Sequence, residues 1–169
     1  FFETWSPLVQ WSTVQLMLVL STLWGMHSAQ CDITAAFVHS DLKPNEHIYI
    51  HQPRGFVRGG SDYVLKLNKT LYGMRQSPKY FFDYLEGHLR DYGLRSSSFD
   101  PCLFLSKDLI VLCYCDDILL YSKDKAEFDK FTSAMKSKGI RLRMEGSAEG
   151  FLGIDIKTED SQITLTQSG

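Results

Sequence analysis

Val111-Leu112-Cys113-Tyr114-Cys115-Asp116-Asp117-Ile118-Leu119-Leu120 sets two adjacent carboxylates between two apolar runs. Residues 109–114 and 118–121 each have the length of a core strand, and the polar break between them suits a hairpin turn. Burying two like charges is costly unless a cation or hydrogen-bond donors compensate. A solvated acidic pair at a hairpin tip is equally ordinary turn chemistry. This stretch alone leaves both readings open.

Downstream of the hairpin, Asp124 caps an expected helix reaching about Lys138, with Phe128, Phe131 and Met135 on one face. Strands are expected at 140–144, 151–156 and 163–166. Upstream, Pro78 opens a helix that turns Tyr80, Phe81, Tyr84, Leu85 and Leu89 inward and stops at Gly93. Three short strands precede it, at 29–34, 48–50 and 63–67. Before them, Val14, Leu16, Met17, Leu18, Val19, Leu20, Leu23 and Trp24 follow helical spacing, which predicts a buried amphipathic helix capped by Ser12 or Thr13. Helices and strands alternate without the strand-helix rhythm of a parallel sheet. The expected fold is therefore α+β, one domain over residues 1–169, with an antiparallel sheet packed by helices on one face.

Composition agrees with a globular domain: 169 residues, 44% hydrophobic, 22% charged, net charge -2. That balance excludes a strongly basic nucleic-acid binder, although residues 54–95 carry a local net charge of +4 and the remainder -6. The apolar stretch 14–26 is broken by Gln15, Ser21, Thr22 and Gly25, so no transmembrane segment is expected. No initiator Met or basic leader opens the sequence, and a secretory signal is not expected. Cys31, Cys102, Cys113 and Cys115 show neither CxxC spacing nor a paired His motif. They read as reduced thiols in an intracellular protein, with Cys113 and Cys115, two apart on one strand face, as buried hydrophobes.

A second acidic segment changes the weight of the hairpin. In Gln30-Cys31-Asp32-Ile33-Thr34-Ala35-Ala36-Phe37 a carboxylate ends an expected core strand. Alone, Asp32 could simply cap the turn that follows. Together with Asp116 and Asp117 it makes a trio whose members, 84 positions apart in the chain, meet only if their strands are sheet neighbours. Oxygen donors so grouped suit a pair of hard divalent cations such as Mg²⁺.

These segments, with Ile48-Tyr-Ile-His-Gln-Pro-Arg-Gly-Phe56, Leu71-Tyr-Gly-Met-Arg-Gln-Ser-Pro78, Ser98-Phe-Asp-Pro-Cys-Leu-Phe104 and Phe151-Leu-Gly-Ile-Asp-Ile156, resemble the reverse-transcriptase palm of copia-type long-terminal-repeat retrotransposons. The resemblance runs over essentially the whole chain, from Phe2-Glu3-Thr4-Trp5-Ser6-Pro7 onward. It implies a polymerase palm with a ferredoxin-like sheet and part of the fingers. N-terminal fingers, thumb and RNase H regions are expected outside these residues. The implied activity is RNA- and DNA-directed DNA synthesis, adding dNTPs to a primer 3′-hydroxyl on an RNA or DNA template with two Mg²⁺ or Mn²⁺ ions. The implied setting is a larger Pol polyprotein in a cytoplasmic virus-like particle or the nucleus, with no membrane partner. A decayed remnant that keeps only the palm fold or weak nucleic-acid binding is the alternative.

By position, Asp32 and Asp116 match the family's two metal-binding carboxylates, and Asp117 the second Asp of its tetrapeptide, with a less direct metal role. Phe37 falls where the family keeps an aromatic beneath the incoming sugar, which excludes a 2′-hydroxyl sterically; a plain core phenylalanine is the other reading. Ala36, Tyr72 and Gly73 complete the implied nucleotide contacts. Retroviral relatives have Gln where Tyr72 stands, so no hydrogen-bonding role transfers to it. Implied template and primer contacts are Gln76, Ser77, Pro78, Tyr114, Cys115, Phe151, Leu152 and Gly153. Cys115 occupies a variable position that copia-type enzymes commonly fill with Val. Phe151, Leu152 and Gly153 resemble the hairpin that grips the primer end, and also read as an apolar strand with a glycine kink.

Overall fold

The computed structural model describes residues 4–60, 62–146, 150–151, 154–159 and 162–166. Helix α1 (Trp11–Leu23) leads into β1 (His27–Ile33), a single 3₁₀ turn (Ala36–His39), and the ribbon β2 (Tyr49–His51) and β3 (Val64–Lys66). Then follow α2 (Ser77–Asp91), β4 (Arg95–Ser96), β5 (Leu103–Leu105), β6 (Ile110–Tyr114), β7 (Asp117–Ser122), α3 (Ala126–Ser137) and β8 (Leu142–Gly146). The last elements are β9 (Gly150–Phe151), β10 (Ile154–Glu159) and β11 (Gln162–Thr166).

A six-stranded sheet in the order β4-β5-β6-β7-β1-β8 forms the body, antiparallel at every pairing. Because β7 lies between β1 and β6, those two run parallel and α2 is their crossover. By the same reasoning β7 and β8 run parallel around β1, with α3 as crossover. Each crossover thus straddles a strand of the other, which locks β6, β7, β1 and β8 into one unit.

Alternation along these strands sorts side chains to two faces. Ala29, Cys31, Ile33, Phe104, Val111, Cys113, Ile118 and Leu120 pack against Phe81, Leu85 and Leu89 of α2 and Phe128, Phe131 and Met135 of α3. Leu103, Leu112, Leu119 and Tyr121 face the other way, onto Val14, Met17 and Leu18 of α1 together with Phe151 and Ile156. The expectation of helices on one face holds for α2 and α3 and is corrected for α1. A sheet this apolar on alternate residues has two faces to cover.

The reading of α1 needs two further corrections. Leu16, Val19, Leu23 and Trp24 are exposed, because a helix apolar almost all round can present only one stripe to the sheet. Its first turn is not held by Ser12 as a cap. The buried Asp100 carboxylate instead accepts bonds from Gln10 N (2.9 Å) and Thr13 Oγ1 (2.7 Å), while its other oxygen takes Cys102 N (2.9 Å). One carboxylate from the turn before β5 therefore ties α1 to the sheet. Asp124, as expected, accepts a bond from Ala126 N (2.9 Å) at the start of α3. The expected strand at 151–156 is divided between β9 and β10, and β4, β5 and the 3₁₀ turn are elements too short for periodicity to reveal.

Candidate active site

Tyr114 and Asp117 face each other as the last pair of the β6–β7 ladder, so Cys115 and Asp116 form a two-residue turn. Such turns demand a left-handed residue, and Cys115 supplies it at φ 52°. For a residue with a Cβ that conformation costs on the order of 1 kcal/mol or more. The strain falls immediately before Asp116.

Next to this turn runs β1, whose Asp32 is the register partner of Asp117. Ile33 N donates to Asp116 O at 2.8 Å, so the flanking residues form the hydrogen-bonded pair. Asp32 and Asp117 are then a non-hydrogen-bonded pair, in which Cα atoms approach to about 4.5 Å and the side chains lie closest. Cys31, Ile33 and Ile118 point into the α2–α3 core. Asp32 and Asp117 accordingly point to the opposite face. Tertiary pairing thus brings together the carboxylates that sequence separates, on sheet positions that α1 does not cover.

The acidity of these groups reflects their crowding. Burial pushes Asp32 above the usual carboxylate range, Asp116 and Glu145 add to the rise, and Arg143 opposes it. Burial likewise raises Asp117, reinforced by Asp116, Asp32 and Glu145. Sequence reasoning missed Arg143 and Glu145, which lie on β8, and the buried Gln30. Arg143 is the register partner of Asp32, with its guanidinium 4.0 Å from Asp32 Oδ2. Only knowledge that β8 pairs with β1 could have found it.

Among the described residues, no three His, Cys, Asp or Glu side chains converge into a ready cage for an ion. Mg²⁺ does not need one, since it binds through one or two carboxylates and completes its shell with substrate phosphates and water. Asp32 and Asp117, whose affinity for protons is raised first by burial and then by neighbouring acids, fit that donor chemistry.

Phe37 sits on the 3₁₀ turn just past β1, introduced by Ala35 in a left-handed conformation (φ 56°). Its ring is 4.7 Å from that of Tyr72 and 5.9 Å, edge-on, from that of Phe81. Thr70 Oγ1 donates to Phe37 O, and Thr70 N donates to Ser40 O at 3.0 Å, so buried polar contacts fasten the Tyr72 loop to this turn. Phe37, Pro78, Phe81, Cys113 and Cys115 line one narrow cleft, which places the ring beside the acidic hairpin. The ring is half-buried, packed against the α2–α3 core and lining that cleft.

The remaining expected contacts divide. Tyr72 is 56% exposed, and Gly73 has φ 89°, a conformation that favours glycine. Gln76, Pro78, Tyr114 and Cys115 are half-buried, Pro78 and Cys115 beside Phe37 and Tyr114 packed toward α1 on the other sheet face. Ala36 and Ser77 are fully buried, and Ser77 Oγ donates to Leu71 O at 2.6 Å. Phe151 is buried beneath α1 with Leu119 and Tyr121. Leu152 and Gly153 lie outside the described residues.

The family described as reverse transcriptase (RNA-dependent DNA polymerase) matches residues 1–169. The chain belongs to the reverse transcriptase family. It is 33% identical, over 98% of its length, to the retrovirus-related Pol polyprotein from transposon TNT 1-94 of Nicotiana tabacum, covering 13% of that protein. It is 28% identical to the corresponding polyproteins from transposons RE2 and RE1 of Arabidopsis thaliana, over 99% of this chain and 12% of each of theirs. The chain therefore spans about one-eighth of the curated relatives it matches. Within this reverse transcriptase chain, no helix of the described residues is long and apolar enough to cross a membrane.

Proposed function

We propose that this chain is the palm, with part of the fingers, of a copia-type retrotransposon polymerase that copies RNA or DNA into DNA. The observation that carries the reading is Asp32 standing opposite Asp117 with Asp116 in the adjoining turn, in a chain matched by the reverse transcriptase family from end to end. The two interleaved strand-helix-strand crossovers support a ferredoxin-like core.

Asp32 and Asp116 are the proposed metal ligands, and Asp117 contributes negative charge from the neighbouring register position. Held by these carboxylates, two divalent ions would supply Lewis acidity toward a primer hydroxyl and charge neutralisation toward a pyrophosphate leaving group. The chain's own work is positional. The β1–β7 ladder sets the carboxylate spacing, and the left-handed Cys115 aims Asp116. Phe37, braced by Tyr72 and Phe81, offers a flat wall to a deoxyribose and no room for a 2′-hydroxyl. Gly73, Gln76 and Pro78 line the template side of that wall, buried Ser77 and Ala36 hold the loops behind it, and Phe151 packs on the opposite sheet face beneath α1. Net positive charge over residues 54–95 suits the phosphates of a template-primer. The proposed setting is the Pol polyprotein of a virus-like particle.

The test is primer extension by the polymerase with its flanking polyprotein segments, comparing wild type with Asp32→Asn and Asp116→Asn. Both variants should bind template-primer and fail to extend it. Extension by either variant at the wild-type rate would refute the assignment, and inactivity of a folded wild type would favour a decayed remnant.

A further inference from the structure

The charged residues beside the carboxylates form a chain of contacts that the polymerase reading does not use. Arg143 Nη2 bonds Glu145 Oε1 at 2.8 Å and stands 4.0 Å from Asp32 Oδ2. The second oxygen of Glu145 accepts Gln30 Nε2 at 3.1 Å, and Gln30 is 6% exposed. Gln30, Asp32, Arg143 and Glu145 all point to the face opposite the α2–α3 core, since Cys31 between the first two is buried in that core.

The backbone explains how Glu145 comes to hold this place. Cys31 pairs with Met144 and Gln30 with Gly146, so Glu145 is the extra residue of a β-bulge in β8. Bulges re-aim side chains and often lie beside active sites. Here the extra residue directs a carboxylate at the guanidinium that faces Asp32. Arg143 is consequently drawn to two acids at once, and contacts the one outside the catalytic trio more closely.

We propose that Arg143 is a resident counter-cation of Asp32 that competes with the catalytic divalent ion, and that Glu145, anchored by Gln30, is the site onto which it withdraws. Arg143 is a positioning residue in this scheme. With no ion present it is bonded to Glu145 and stands 4.0 Å from Asp32, offsetting part of that carboxylate's charge, and it leaves that oxygen to an ion that arrives. The device limits metal binding by the empty enzyme. It rests on the assignment of Asp32 as a metal ligand.

The guanidinium is 69% exposed, so its hold on Asp32 is screened and the effect on affinity is moderate, about 3- to 10-fold. The experiment is direct Mn²⁺ titration, by calorimetry or by the paramagnetic resonance of the free ion, at low ionic strength. It compares wild type, Asp32→Asn, Arg143→Gln, Glu145→Gln and the Arg143→Gln/Glu145→Gln pair, each checked for folding by its melting curve. Arg143→Gln should tighten Mn²⁺ binding about 3- to 10-fold, and Arg143→Lys should restore the wild-type value. Glu145→Gln should weaken binding by releasing Arg143 onto Asp32, and the double variant should match Arg143→Gln alone. If wild type and Asp32→Asn bind Mn²⁺ equally, the metal assignment itself fails. If Asp32→Asn weakens binding while Arg143→Gln leaves it unchanged, the assignment stands and the role of Arg143 is overturned. A double variant that keeps the full loss of Glu145→Gln would also overturn it, because Glu145 would then act on the ion without Arg143.

Discussion

The two faces of the central sheet are made by alternate residues of the same strands, yet they do different work. On one, Cys31, Ile33, Cys113 and Ile118 are sealed under α2 and α3. On the other, Leu112, Leu119 and Tyr121 are covered by α1, but one step along the same strands Asp32 and Asp117 stand half-buried and uncovered. The sealed face supplies rigidity, and the half-covered face uses it. Carboxylates that repel one another stay adjacent because the strands carrying them are held from behind by a packed core.

The two faces should differ most at the acidic turn. Asp116→Asn should reduce primer extension by on the order of 10³-fold or more, with the melting temperature and template-primer affinity nearly unchanged. Equal loss of stability would mean that the turn belongs to the scaffold after all. The opposite outcome is expected at Asp100, the carboxylate that fastens α1. Asp100→Ala leaves Gln10 N, Thr13 and Cys102 N without their partner, and should cost about 2 to 4 kcal/mol in chemical denaturation. Catalysis per folded molecule should change little.

Phe37 lies on the seam between core and cleft. Phe37→Val should lower discrimination against ribonucleotides about 10- to 1,000-fold, roughly 1.4 to 4 kcal/mol, measured by single-nucleotide extension with dNTP and rNTP in parallel. An unchanged ratio in a folded variant would make the ring purely a packing residue.

The smallest effect concerns the thiols. Burial pushes Cys31 and Cys102 up to about 12 from 9.0, and raises Cys113 well above 9.0. A folded pKa above the unfolded value means that the native state holds its protons longer. The stability these groups contribute is then complete below pH 9.0 and falls as pH rises toward about 12. The urea midpoint should therefore be lower at about pH 10.5 than at about pH 8. Thiol labelling at about pH 8 should modify the half-buried Cys115 well before the three buried cysteines.

Local signals made much of this molecule legible. Pro78 and Gly93 bracket α2 because proline suits a first helical turn and glycine a left-handed stop, with Gly93 at φ 102°. The apolar runs around Asp116 gave a hairpin since a two-residue break between strands has few other solutions. Motif order carried the family and the identity of the trio. Sequence by itself determined which residues could be helix, strand, turn and acid, because propensity, capping and turn chemistry act over a few neighbours.

Partnership across the sheet was another matter. That α1 covers the second face, that Asp100 rather than Ser12 holds its start, and that Arg143 and a bulged Glu145 stand beside Asp32 all depend on residues 87 to 115 positions apart. No local preference distinguishes Arg143 from any other charged residue on an exposed strand. Its meaning comes from the residue across the ladder, and that neighbour is chosen only when the whole chain selects one strand order and one register. The tertiary structure decided which charges meet, because an interaction between distant residues exists only in the fold that brings them together.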